Sequence, residues 1–262
     1  MAATPEVFVH PDADTLAAAV AARLVTRLVD AQASAGRAHV VLTGGGIGTA
    51  VLAALAASPA RDAVDWDALD VWWGDERFVP ASSDDRNEVG ARAALLDAVG
   101  LPTERIHAMP ALDGPDGDDV DAAADRYAAE LAAAARPEDH GPVPVFDVLM
   151  LGIGPDGHVA SLFPEQPALH ETERTVVGVR GAPKPPPTRI SLTFPALRAA
   201  REVWVLASGT SKAGAVRMAL SGAGERQIPA AGAHGRSRTL FLLDEDAASE
   251  LPAPLRRGLT RT

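Results

Sequence analysis

The chain has 262 residues, 47% hydrophobic but only 4% aromatic, which is enough apolar material for one large α/β domain with a core built from Ala, Val and Leu. It contains no cysteine, which excludes a disulfide framework, thiol catalysis and thiolate metal sites. The net charge of −11 argues against nonspecific nucleic-acid binding. The N-terminal MAATPEVFVHPDAD lacks a secretion pattern and no apolar run approaches membrane-spanning length, so a cytoplasmic protein without nucleic-acid or membrane partners is expected.

Residues 12–30 place Leu16, Val20, Leu24 and Leu28 at four-residue spacing behind the capping candidates Asp12 and Asp14, which predicts an amphipathic helix. HVVLT (39–43) is a short apolar run closed by Gly44-Gly45-Gly46 and followed by the helical TAVLAALAA. LDVWW (69–73) reads as a buried strand ending at Gly74, and residues 86–99 and 119–135 read as helices. FDVLML (146–151) is a third strand that runs into glycines. RISLTF (189–194) alternates like a strand, EVWVLA (202–207) is another, TSKAGAVRMAL (210–220) is a helix and RTLFLL (238–243) closes the series. DGPDGDD (113–119) and APKPPP (182–187) are loops.

Short, near-continuously apolar strands separated by helices predict an α/β fold with a mainly parallel, doubly wound sheet and helices on both faces, forming a single domain over residues 1–262. Ligands in such folds bind at the carboxyl ends of the strands. The polar and glycine-rich segments 43–49, 74–87, 152–158 and 208–212 fall there.

Thr43-Gly44-Gly45-Gly46-Ile47-Gly48-Thr49 joins a strand to a helix. Glycines let the backbone approach a ligand, and a helix start offers free N–H groups to an anion. A tight turn without a ligand is the plainer explanation, but four glycines in five positions exceed what a turn requires. Gly152-Ile153-Gly154-Pro155-Asp156-Gly157 fits the dinucleotide pattern GxGxxG literally. Pro155 removes a donor, however, and too few residues precede Pro164 for the usual helix. Asp156-Gly157-His158 at a strand end is the more telling feature. Imidazole titrates near neutrality and can act as a general base, with a carboxylate to orient it. In the strand-end segment WWGDERFVP (72–80), Arg77 suits a phosphate, or else a local Asp–Arg ion pair. Asp75 could bind sugar hydroxyls or a catalytic partner, and the stretch 84–87 ending in Asn87 could cap the next helix. The chain has only two lysines, Lys184 and Lys212, against 22 arginines. Lys212 falls in a helix's first turn, where the dipole disfavours a cation unless an anion is bound beside it. Two ordinary surface lysines would be the plainer explanation.

LTGGG (42–46), WWGDERFVP with Asn87, LGIGPDGHVASLFP (151–164), PPPTRISLTFPAL (185–197) and GTSKAGAV (209–216) together resemble the glucosamine-6-phosphate isomerase/6-phosphogluconolactonase family, in its lactonase branch. The motifs stand in the family's order across most of the chain. The resemblance implies a phosphorylated six-carbon sugar lactone as substrate, hydrolysis and no required cofactor; no metal is expected because the chain has no thiolate and its histidines show no paired ligand spacing such as HExxH. It implies His158 as general base, Asp75 and Asp156 in the surrounding polar network, and Thr43, Gly44, Gly45, Gly46, Arg77, Asn87, Arg189 and Lys212 as substrate and phosphate contacts. Thr43 stands where serine is usual, and Gly48-Thr49 where Thr-Pro is usual. The isomerase and deaminase branch implies a further glutamate soon after the DGH motif, where this chain has Val159-Ala160-Ser161-Leu162-Phe163-Pro164 and then Glu165. A sugar-phosphate-binding protein without turnover competes with the lactonase expectation and, more distantly, so does a dehydrogenase.

Overall fold

Asp12 sets the first long helix: its carboxylate accepts the Thr15 N–H at 2.7 Å, and Gly36 ends the helix in the left-handed region at φ 73°. Between them α1 (Ala13–Ala35) buries Leu16, Val20, Leu24 and Leu28, each contributing about 1.5–3 kcal/mol by leaving water. These details come from a computed structural model that describes residues 4–252 and Leu255.

Six strands form one sheet: β1 (Glu6–His10), β2 (Ala38–Leu42), β3 (Leu69–Trp73), β5 (Val148–Gly152), β8 (Glu202–Ala207) and β9 (Arg238–Asp244). Their order is β1-β9-β8-β5-β2-β3, and every pairing is parallel. From β2 the chain winds outward to β3, and from β5 it winds the other way through β8 to β9. The boundary between β2 and β5 is therefore the switch point, where ligands collect in open α/β sheets. β2, β3 and β8 are buried along their whole length, which is why they read as unbroken apolar runs. Helix α1 packs on β2 and β9 and against α2 (Gly45–Ala57), which lies over β5 and β8.

A second sheet joins β4 (Asp75–Arg77), β6 (Val176–Val179) and β7 (Arg189–Leu192) in the order β4-β7-β6. It is antiparallel, with Asp75 opposite Ser191 and Arg77 opposite Arg189. RISLTF alternates because it belongs here and not to the parallel layer. Helix α4 (Val120–Ala134) packs on this small sheet. The helix expected over 86–99 is shorter. It is α3 (Asn87–Ala94), and a 3-10 turn follows at Leu96–Ala98. α5 (Phe194–Leu197) is a single turn after β7. The stretch 210–220 opens as a 3-10 turn at Thr210–Lys212 before becoming α6 (Ala213–Leu220). No helix among the described residues is long and apolar enough to cross a membrane.

Candidate active site

Because β2 and β5 end side by side, the loops that follow them meet. The Thr43 hydroxyl accepts the Gly152 N–H at 3.0 Å, tying the glycine loop to the DGH loop. Gly44 is the N-cap of α2 and supplies no capping side chain, so the first N–H groups of the helix remain open to an anion. A Cβ on Gly44 would overlap the Asn87 amide, so glycine is needed for α3 to approach this loop.

Asn87 is anchored from two sides. Its Nδ2 donates to the Asp75 carbonyl at 2.8 Å, and its backbone N–H donates to Glu76 Oε1 at 2.7 Å. The buried Glu76 carboxylate also accepts the N–H groups of Arg77 and Glu88, each at 2.9 Å. Glu76 therefore caps α3 from the neighbouring strand, in place of a side chain from 84–87. Burial pushes the Glu76 carboxyl up, opposed by the Arg86 charge and the three N–H donors.

His158 sits at the end of the β5 loop, with Nδ1 at 2.5 Å from Asp156 Oδ1. A Cβ on Gly154 would occupy the position of the His158 ring, so the bare Gly154 makes room for the pair. Burial pushes the Asp156 carboxyl up, but the hydrogen bond and charge of His158 and two backbone N–H groups outweigh it and hold it at about 2. Asp156 is thus ionised at neutral pH and accepts a hydrogen bond from Nδ1–H, which leaves Nε2 as the basic nitrogen. Phe163, fully buried, stands between two functional side chains: its ring centroid is 4.4 Å from that of His158 and 5.6 Å from the Arg189 guanidinium. The GxGxxG-like run does not enter a helix. It folds back through Gly154 N–H to His158 O at 2.9 Å, unlike a dinucleotide-binding turn.

Asp75 makes no hydrogen bond to His158. Its Oδ2 accepts the Ser161 hydroxyl at 2.7 Å and lies 3.9 Å from Arg189 Nη1. The rest of the Arg189 guanidinium is committed: Nε donates to Pro186 O at 3.1 Å, and Nη2 to Lys184 O at 2.9 Å and Pro185 O at 3.3 Å. Arg77 pairs with no carboxylate among the described residues. Its Nη1 donates to Asp85 O at 2.5 Å. Lys212 is carried by the turn after β8, which Asp244 holds through Ser208 Oγ at 2.5 Å and Gly209 N at 3.0 Å. Burial, and then the charge of Lys184, push the Lys212 ammonium down, with Asp156 opposing.

The loop residues Thr43, Gly44 and Gly45, the β4 residues Asp75 and Arg77 with Asn87, and His158, Arg189 and Lys212 all line one cavity of about 240 Å³. Asp156 stands behind His158, and Gly46 faces adjoining hollows on either side of the glycine loop. Glu76, Ser161, Phe163, Lys184 and Asp244 complete the setting, although their sequence context does not mark them as site residues. Lys184 carries a signal in the scarcity of lysine, and Glu76, Ser161 and Phe163 carry one only as members of the motifs at 72–80 and 151–164.

A switch-point cavity walled by cations, free N–H groups and a carboxylate-backed histidine defines an α/β protein built to act on a small anionic molecule. Residues 11–242 match the family model described as glucosamine-6-phosphate isomerases/6-phosphogluconolactonase, and the chain belongs to this family. It is 65% identical over 255 residues to the 6-phosphogluconolactonase of Streptomyces coelicolor, covering 97% of this chain and 98% of that one. It is 50% identical to that of Mycobacterium tuberculosis over 97% of this chain and all of the other. The solved 6-phosphogluconolactonase of Trypanosoma brucei superposes with a TM-score of 0.79 at 30% identity, covering 95% and 99% of the two chains. A monomeric glucosamine-6-phosphate deaminase shares the fold at a TM-score of 0.75 and 20% identity, over 94% and 99%.

Proposed function

We propose that the chain hydrolyses 6-phospho-D-glucono-1,5-lactone to 6-phosphogluconate, the lactone-opening step of the oxidative pentose phosphate pathway, as a cytoplasmic enzyme with His158 as general base. The observation that carries the mechanism is the short Nδ1···Asp156 contact of 2.5 Å, combined with an Nε2 that has no hydrogen-bond partner among the described residues. Nε2 takes a proton from water, and the resulting hydroxide adds to the lactone carbonyl. The tetrahedral adduct collapses with cleavage of the bond to the ring oxygen, which takes the proton back from the imidazolium. Asp156 holds the tautomer and stabilises the transient imidazolium. Lys212, Arg77 and the open N–H groups of 44–46 supply a local positive field for the phosphate on a chain of net charge −11. That remote contact holds the carbonyl against the water. Thr43, Asn87 and Arg189 shape the cavity, each through hydrogen bonds to neighbouring backbone.

Hydrolysis is favoured over the isomerase and deaminase chemistry of the same family because the segment after His158 offers no second acid. Val159 and Leu162 are buried, and Ser161 is turned to Asp75. Glu165 is exposed and does not line the cavity. Acid release from 6-phosphogluconolactone, corrected for spontaneous hydrolysis, tests the activity. A rate no higher than background, with the lactone bound, would leave a binding protein without turnover.

A further inference from the structure

Both lysines of the chain, Lys184 and Lys212, line the same cavity, although they lie on different loops. The ion pairs of the described residues draw their cations from arginine and histidine, so neither ammonium is neutralised by a carboxylate. Lys184 does not sit on a free loop. Its carbonyl and those of Pro185 and Pro186 receive three hydrogen bonds from the guanidinium of the buried Arg189, which fixes the backbone that carries it. Its side chain is half-buried. Two like charges facing one cavity repel each other, and an anion between them removes that repulsion.

We propose that Lys184 is a specificity-determining residue that, with Lys212, contacts the phosphate of the substrate from the 182–187 loop. This rests on the lactonase reading above. Arg189 then has a further task as the positioning residue for Lys184, because its Nε and Nη2 donate to the carbonyls of the loop that carries Lys184. A compact ammonium on a flexible stem suits a phosphate oxygen that arrives from solvent.

The test compares wild-type protein, K184Q and K184R on 6-phosphogluconolactone and on gluconolactone, together with calorimetric binding of 6-phosphogluconate and gluconate. K184Q is expected to raise KM for the phosphorylated lactone about tenfold with kcat little changed. It should leave kcat/KM on gluconolactone and the melting temperature unaltered, while K184R recovers most of the loss. The K184Q penalty should also shrink as salt rises. An equal loss on both lactones, or no loss on either, overturns the assignment. If the wild type shows no turnover yet binds 6-phosphogluconate, and K184Q weakens that binding, the lactonase reading fails and Lys184 stands. If the wild type binds no phosphorylated sugar acid, both fail.

Discussion

His158 Nδ1 lies 2.5 Å from Asp156 Oδ1, and the two are brought this close over a Gly154 that has no room for a side chain. The contact assigns the Nδ1 proton to Asp156's side and the lone pair to Nε2. His158→Ala is therefore expected to lower kcat by roughly 10²–10⁴ with KM little changed, and Asp156→Asn to lower it by less. Protonated imidazole cannot accept a proton, so the net rate should fall on acidification once the spontaneous reaction is subtracted. Near-normal turnover in His158→Ala removes this residue from the mechanism.

Gly154→Ala is the spatial counterpart of those variants. A methyl group there must displace either the His158 ring or the Asp156 carboxylate. The expected outcome is a fall in kcat with the melting temperature changed by no more than a few degrees, because the ring packs on Phe163 of the small satellite cluster and not in the main core. Unchanged kcat would show that the pair need not be in this geometry for turnover.

Phosphate recognition is predicted to separate from chemistry at Lys212. Removing one charged contact costs about 1.5–3 kcal/mol, about ten- to a hundredfold in kcat/KM. Lys212→Ala should show that loss on the phosphorylated lactone and almost none on gluconolactone. Parallel losses on both substrates would assign Lys212 to the fold or to the reacting centre.

Away from the site, two histidines set opposing responses to acid. His39 is buried and receives the Trp72 indole N–H on Nδ1 at 3.3 Å. Burial pushes it down to about 4, against the pull of Asp70. The unfolded chain takes up this proton below about 6.5, so stability is full above that pH and falls as pH drops through 6.5 towards 4. His107 lies between Asp70 and Glu130 and is stacked on Trp72. Burial pulls it down, but the two carboxylates outweigh this and raise it. Its contribution is present below about 6.5 and is lost as pH rises through the raised value. His39→Asn keeps an acceptor for Trp72, so denaturant unfolding should show its stability gaining on the wild type by up to about 3 kcal/mol between pH 7 and pH 4. A difference independent of pH would contradict the buried neutral imidazole.

Activity is expected to survive EDTA. No group of three His, Asp or Glu side chains among the described residues could hold a metal ion, and the proposed steps need only a base and cations. Loss in chelator with recovery on adding a divalent metal would show a site assembled by other means.

Much of this site was legible in the sequence because its parts are local. A strand end followed by glycines, or by Asp-Gly-His, predicts a loop with its polar groups at the carboxyl edge of the sheet, whatever the neighbours are. The motif order that resembles the family rests on the same short segments. The apolar runs at 39–43, 69–73, 146–151, 202–207 and 238–243 predict the buried parallel strands to within one or two residues at their ends. The alternation of RISLTF marks a strand with two different faces but not that it pairs with the three residues Asp75–Arg77, which are too few to show a period.

Two kinds of fact were decided only by the tertiary structure. One is which distant segments meet: Thr43 with Gly152, Gly44 with Asn87, Lys184 with Lys212. That depends on the strand order β5-β2-β3 and on packing across the whole sheet, and no local pattern encodes it. The other is what each polar side chain does once placed. Arg189 braces its own loop, Glu76 caps a helix from another element and Asp75 answers Ser161, because a buried donor or acceptor must find a partner among whatever groups the fold brings within about 3 Å. Sequence by itself determined the residue types available for the chemistry and the strand ends that present them; hydrogen-bond satisfaction in the folded interior decided which of them are free to meet a substrate.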